Sequence, residues 1–256
     1  MITERRRRET GQLLYKAWLE TRGRFIGAAV VVALLGLATV VRASATIAGW
    51  ERFHAGEAMP YALYVWLSLS HGYLQFIWII CAILLGLGGL VREQARGTAG
   101  FTLALPVSRR ALVWSRAAVG AAEAAALALL PEAIVALLSP LAGYDYPFAQ
   151  ALLFALLIAG GGMVFYALGF LLSHLIGGEY AAPGIGLGLA AGYYVVAKLP
   201  GMESFNVYGL MTGARYMIGK TYSLGAGYPV WPLLAWAALA AGLIAVAARL
   251  AARRDF

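Results

Sequence analysis

Apolar residues gather in long runs along this chain, separated by short stretches in which Arg, Gly, Pro and Tyr concentrate. The hydrocarbon core of a bilayer takes roughly 20 helical residues to cross. Runs of about that length predict six membrane helices, over 25–46, 70–91, 111–138, 149–176, 181–199 and 230–249. Upstream, "TGQLLYKAWLETRGRF" at 10–25 sets Leu13, Leu14, Ala17 and Trp18 at helical spacing, with Lys16, Glu20, Arg22 and Arg24 supplying a polar side. That pattern predicts a helix lying in the membrane interface; the alternative is a charged flank that orients the first span. The expected organisation is a basic tail and interfacial helix at 1–24, one membrane domain at 25–249 and a tail at 250–256, with no internal repeat.

The connecting stretches are short. "GWERFHAGEAMPYALYVWLSLS" at 49–70 reads as an aromatic loop and "SPLAGYDYPF" at 139–148 as a turn. The longest, at 200–230, carries Phe205, Tyr208, Leu210 and Met211, which are too apolar for a hydrated loop. Irregular backbone facing lipid is not tolerated, so short helices dipping back into the interface are expected there.

Composition sharpens the picture. The 256 residues are 62% hydrophobic and 12% charged, against about a quarter charged in a soluble domain. The single cysteine, Cys81, lies inside an apolar run, so neither a disulfide framework nor a Cys/His metal cluster is expected. The net charge of +8 does not point to nucleic acid, because the cations sit beside the apolar runs. With both termini on one side, that side holds 15 of the 20 Lys and Arg residues, including Arg5 to Arg8, Arg92, Arg96, Arg109, Arg110, Arg116, Arg249, Arg253 and Arg254. The other holds only Arg42, Arg52, Lys198, Arg215 and Lys220. The positive-inside rule then makes both termini cytoplasmic and the membrane lipid a partner. The start, "MITERRRRETGQLLYKAW", is basic like a signal peptide but continues into a mixed polar segment, so no cleaved signal is expected.

Candidate chemistry is sparse. "GARYMIGKT" at 213–221 ends like a phosphate-binding loop, but five residues rather than four separate Gly213 from Gly219 and no strand precedes it. The glycines of 159–169 and 184–192 lie inside apolar spans and fit close helix packing. Ionisable groups within membrane spans are functional candidates by default. Glu123 and Glu132 fall in the third span, with Pro131 as an expected kink, and His174 near the end of the fourth. Glu132 is expected near the outer end, within reach of water. Glu123 is deeper, either facing a polar path or pairing with a basic group on a neighbouring helix. His174 reads as a structural hydrogen-bonding group at the inner interface. No HExxH, GxSxG or paired-glutamate protease motif occurs, so no catalytic site, cofactor or metal site is expected in this chain.

Between the second and third spans lies a polar island, "REQARGTAGFTLALPVSRR", at 92–110. A polar turn at Gly97-Thr98 leads into the short amphipathic run "GFTLAL", which includes Phe101, and then to Pro106. Ser108 is a predicted N-cap for the third span, whose first turns carry Arg109, Arg110 and Arg116. An orienting anchor needs only a few arginines. The order Arg92-Glu93, Gly97-Thr98, an amphipathic run, Leu105-Pro106 and Ser108-Arg109 resembles the permease subunits of type-2 ABC transporters. The resemblance extends over nearly the whole chain: an interfacial helix, six spans and short re-entrant elements before the last.

That resemblance implies an all-α integral membrane protein whose loop at 92–109 forms a cytoplasmic coupling helix seated on a separate ATP-binding-cassette ATPase subunit. Arg92, Glu93, Arg96, Gly97, Thr98, Phe101, Pro106, Ser108 and Arg109 would form the ATPase-coupling loop, with Glu93 and Arg96 making polar contacts to the motor. ATP and Mg would be bound by that partner, a second permease subunit would complete a dimer, and the setting would be the inner membrane of a prokaryote. The large outer domain of some relatives is missing and the loop between spans four and five is only "GGEY", which points to a compact exporter. The rival readings are a proton-coupled secondary transporter using Glu123 or His174, and a membrane scaffold that transports nothing. Tyr166, Tyr193 and Tyr194 would suit an amphipathic cargo, and equally suit membrane anchoring.

Overall fold

A computed structural model of the chain describes residues 2–54, 58–88, 97, 107–176, 180–218, 222–225 and 227–253. The protein is helical and multi-pass in character: five helices are long and apolar enough to cross a membrane. In chain order the helices are α1 (Ile2–Val41), α2 (Ala43–Phe53), α3 (Tyr61–Gly86), α4 (Arg109–Leu138), α5 (Phe148–Leu175), α6 (Ala181–Val196), α7 (Val207–Thr212) and α8 (Val230–Arg253). Of these α1, α3, α4, α5 and α8 meet the spanning criterion, whereas α6 is an apolar helix of 16 residues. Two-residue strands, β1 (Met217–Ile218) and β2 (Ser223–Leu224), pair antiparallel with Met217 opposite Leu224.

The long helices α1, α3, α4 and α5 alternate in direction, and α8 runs the same way as α5. Their arginines, Arg24 on α1, Arg109, Arg110 and Arg116 on α4, and Arg249 and Arg253 on α8, collect at one end, called here the basic end. Proline punctuates the starts of three helices: Pro60, Pro147 and Pro229 stand immediately before α3, α5 and α8. Proline lacks the N–H that a first helical turn leaves unpaired, so it starts helices without loss.

The first helix departs from expectation. The segment 10–24 does not form a separate interfacial helix but continues into the first span as one helix, Ile2–Val41. At 1.5 Å per residue its 40 residues reach about 60 Å, roughly twice the hydrocarbon thickness. No proline interrupts it; Ala17 is buried, and Glu20 pairs with Arg116 of α4 at 2.6 Å and with Lys16 of its own helix at 2.9 Å. Trp18 and Leu14, counted on the apolar face, stay exposed.

The second span also starts earlier than predicted, at Tyr61 rather than near 70, and contains a wide π-helical turn over Trp66–Tyr73 with non-helical backbone at Gly72. Its Ser, Tyr and Gly residues look loop-like in sequence, yet Tyr61 Oη lies 2.7 Å from Ser139 Oγ and Tyr64 Oη donates to the Thr39 carbonyl at 2.7 Å.

Helix α5 is the hub, touching α3, α4, α6, α7 and α8. Two kinds of glycine permit this. Gly86 and Gly169 bring the α3 and α5 backbones together: a β-carbon on Gly169 would stand 2.6 Å from the Ile83 carbonyl oxygen, and one on Gly86 would stand 2.6 Å from the Tyr166 carbonyl oxygen. Gly120 and Gly162 instead make room for the buried rings of Tyr166 and Trp78. By contrast Gly184, Gly188 and Gly192 meet nothing within 4 Å, so most of that run serves no close approach within the chain.

The stretch before α8 folds back into the bundle. Asn206 caps α7, its side chain accepting from Gly209 N at 2.9 Å, and Gly213 ends it at φ +70°, where glycine is favoured. Span side chains serve the irregular backbone that follows. Trp66 Nε1 donates to the Thr212 carbonyl at 2.8 Å, Gln75 Nε2 to the Tyr208 carbonyl at 2.7 Å, and Gln150 bonds both the N–H and the C=O of Leu224.

Replacing Gly169 by Ala should lower stability by about 1–3 kcal/mol, because the added carbon meets backbone rather than a movable side chain. Gly188→Ala should be neutral or slightly stabilising. Thermal unfolding of both variants in mild detergent checks the contrast; equal midpoints would refute the packing role of Gly169.

Candidate functional site

The polar side chains of greatest interest lie along α4 and around the basic end of α3. Glu123 sits midway along α4 and is 5% exposed. Its Oε1 accepts from Thr21 Oγ1 of α1 at 2.7 Å, and the Arg24 guanidinium, one turn farther along α1, acts on it electrostatically. Glu123 is thus tied to a neighbouring helix by a neutral hydroxyl, within the electrostatic reach of Arg24 on that helix. Its Oε2 is buried without a hydrogen-bond partner among the described residues.

Glu132 requires a correction. It is not a water-exposed group at a helix end but is completely buried, at 0% exposure. Two packing contacts close it off: Gly36 of α1 lies directly against the Pro131 backbone, and Ser70 of α3 donates to Glu132 Oε1 at 3.0 Å. Its Oε2 also lacks a partner among the described residues. Tyr146, in the loop after α4, is 5% exposed; burial first and the Glu132 carboxyl second push its phenol well above the usual range, so it remains protonated.

His174 is 3% exposed, and its Nδ1 lies 2.8 Å from the Phe170 carbonyl. A carbonyl only accepts, so Nδ1 carries the proton in this contact. Tyr166 is fully buried and donates to the Ala117 carbonyl at 3.1 Å, which removes it from any open path.

At the basic end a group that sequence reasoning missed becomes prominent. Arg24, counted there on the polar side of an interfacial helix and among the orienting charges, reaches across from α1 and donates to the carbonyls of Leu84 and Leu87. Ser173 of α5 places its hydroxyl 2.8 Å from the Gly88 carbonyl, 3.3 Å from that of Gly86 and 2.8 Å from the Phe170 carbonyl of its own helix, which share its one proton. The carbonyls of Leu84 and Gly86 belong to the last turn of α3, that of Leu84 also accepting the Leu87 N–H at 3.3 Å, and those of Leu87 and Gly88 lie just past its end. The end of α3 is thus held from two sides, by α1 and by α5. Serine in an apolar span carries no distinctive signal, and Arg24 stands just before the predicted first span, so the sequence did not announce this clasp.

Directly beyond that clasp begins the basic island. Arg92, Glu93, Arg96, Thr98, Phe101 and Pro106 lie outside the described residues. Of the remaining members, Gly97 adopts φ +73° in an exposed turn, where glycine is favoured. Ser108 caps α4, its hydroxyl accepting from Ala111 N at 3.2 Å, and Arg109 is the first helical residue. Lys220 and the Gly219–Thr221 part of the rejected phosphate-loop pattern also fall outside the described residues. Among the described residues no three His, Cys, Asp or Glu side chains converge as a metal site would require.

No protein-family model matches the chain, and no curated protein matches it in sequence.

Removing the one partner of a buried carboxyl costs its full desolvation, about 1–3 kcal/mol. Ser70→Ala should therefore lower stability by about that amount, and Glu132→Gln, which keeps the accepting oxygen, by less than Glu132→Ala. Unfolding midpoints in detergent give the ranking, and an unchanged Ser70→Ala protein would remove Glu132 from the structural core.

Proposed function

We propose that the chain is the membrane-spanning permease subunit of an ATP-driven exporter, working as a dimer and coupled through residues 92–109 to a separate ATPase subunit in the prokaryotic inner membrane. The observation that supports this best is the clasp on α3: the helix end leading into the basic island is gripped by Arg24 and Ser173, from two other helices. A push on the island would be delivered to α1, α3 and α5 together. Helix α6 serves as the additional span in this reading, since its Gly186 lies against Ile83 and Leu172 near the basic end and Ala190 meets Tyr208 farther across. The family likeness of the island supplies the partner; the chain's own residues supply the attachment.

In this mechanism the motor closes against the island, Glu93 and Arg96 carry the polar contacts, and Gly97 gives the turn. The clasp passes the displacement into the bundle, which opens a path toward the opposite end. The island's cations and the two tails face the cytoplasm.

A second reading has its own support in Glu123 and Glu132, each with one buried oxygen free of a partner among the described residues. Such groups suit a proton-coupled carrier. The two readings separate in proteoliposomes: export by the first needs ATP and a partner subunit, whereas the second collapses when a protonophore removes the gradient.

Affinity purification in mild detergent should bring down an ATP-binding-cassette subunit with the wild-type chain and lose it from a Glu93→Ala, Arg96→Ala double variant of equal abundance. Glu93→Ala alone should reduce transport by about 10-fold or more, the scale of a lost charge-assisted contact, while leaving membrane insertion intact. A chain that arrives alone and still transports under a proton gradient would overturn the coupling proposal.

A further inference from the structure

A groove of about 550 Å³ lies between the far end of α1, helix α2 and the π-helical part of α3, at the end of the bundle opposite the clasp. Among the described residues its one cation is Arg42, at the corner where α1 ends and α2 begins. Eighteen residues separate Arg42 from Arg24, about 27 Å along a helix axis, close to the thickness of the hydrocarbon core. Arg42 therefore stands at the opposite membrane interface, the side on which cations are sparse. It is exposed and makes no ion pair among the described residues.

The groove has a polar mouth and an apolar floor. Beside Arg42 the hydroxyls of Thr46 and Ser68 hydrogen-bond the phenol of Tyr64, whose own proton is committed to the Thr39 carbonyl, and each would turn from Tyr64 to reach a ligand oxygen. One guanidinium and three hydroxyl oxygens thus share one wall. Toward the membrane centre stands Leu35, seven residues before Arg42 and about 10 Å deeper, while Leu67 adjoins Ser68 on α3. Among the described residues no acidic side chain lines the groove, so a zwitterionic headgroup would find no partner for its ammonium among them.

We infer that this groove binds the phosphate-bearing headgroup of an anionic lipid, with Arg42 pairing to the phosphate, Thr46 and Ser68 donating to its oxygens, and the acyl chain lying along Leu35 and Leu67. A guanidinium offers several N–H donors in a fork matched to phosphate, and the nearby hydroxyls can rotate toward a ligand oxygen. The gradation from cation to leucine along the groove favours an amphiphile over a free anion. This inference does not depend on a motor at the basic end.

The test uses the full chain in mild detergent, with thermal unfolding followed during titration with dioctanoyl-phosphatidylglycerol, dioctanoyl-phosphatidylcholine and glycerol 3-phosphate. The phosphatidylglycerol should raise the midpoint, acting at a concentration about 10-fold or more below that of the phosphatidylcholine, as expected for one charge-assisted pair. Arg42→Gln should abolish that difference and Arg42→Lys should retain part of it. Equal action by the two lipids, or an undiminished preference in Arg42→Gln, would overturn the proposal. So would glycerol 3-phosphate matching the lipid, which would make the groove a site for free phosphate esters. If Arg42→Gln does not fold, Thr46→Val with Ser68→Ala serves in its place, and native mass spectrometry of the wild-type protein gives an independent readout. Co-purified lipid enriched in anionic species over the source membrane would support the site, and lipid in the membrane's own proportions would refute it.

Discussion

Hydrocarbon offers no partner to a peptide N–H or C=O, so every backbone polar group at membrane depth must be satisfied from within the protein. The polar side chains of this chain are distributed accordingly. Trp66, Gln75 and Gln150 serve the folded-back stretch before α8, Arg24 and Ser173 serve the frayed end of α3, and Tyr64 and Trp78 donate to carbonyls of α1 and α4. Most of the long polar side chains inside the bundle are thus engaged with main chain rather than with one another. This lets α3 hold a π-helical turn and a non-helical glycine, and lets α7 and a small hairpin sit against α5, without an unpaired backbone facing lipid.

Against that background the two α4 carboxylates stand apart. Glu123 and Glu132 accept from side-chain hydroxyls, Thr21 and Ser70, and each keeps an oxygen with no partner among the described residues. They lie nine residues apart, so both contacts fix α4 against its neighbours, Glu123 against α1 and Glu132 against α3. Burying a carboxyl with unused hydrogen-bonding capacity is costly, and among the described residues their Oε2 oxygens are the two buried polar side-chain atoms left without a partner.

Much of the helical layout was legible from hydropathy. The helices beginning at Arg109, Phe148, Ala181 and Val230 start within two residues of their predicted positions, because a long apolar run preceded by serine, proline or a polar turn has few other ways to fold in lipid. Two boundaries were not legible. The charges of residues 16–24 hid the continuity of α1, since their partners, Arg116 and the ends of α3, come from elsewhere in the chain. The serines and tyrosines of 61–70 hid the start of α3, since a hydroxyl that bonds within the bundle reads in sequence like one that bonds water. The same limit applied to the sites: Glu123 could be named from its depth, whereas the clasp on α3 depends on carbonyls that no residue type announces.

The contact of Gly86 with Gly169 constrains how the bundle can move. Where two backbones touch with no side chain between them, neither helix can roll about its own axis without its neighbouring side chains striking the other. Relative displacement of α3 and α5 is then confined to sliding along the shared line or swinging as a pair, like two rods pinned at one point. The pin lies within a turn of the Ser173 contact, so a force applied at that end acts with almost no leverage to separate the two helices and its full leverage to tilt them together.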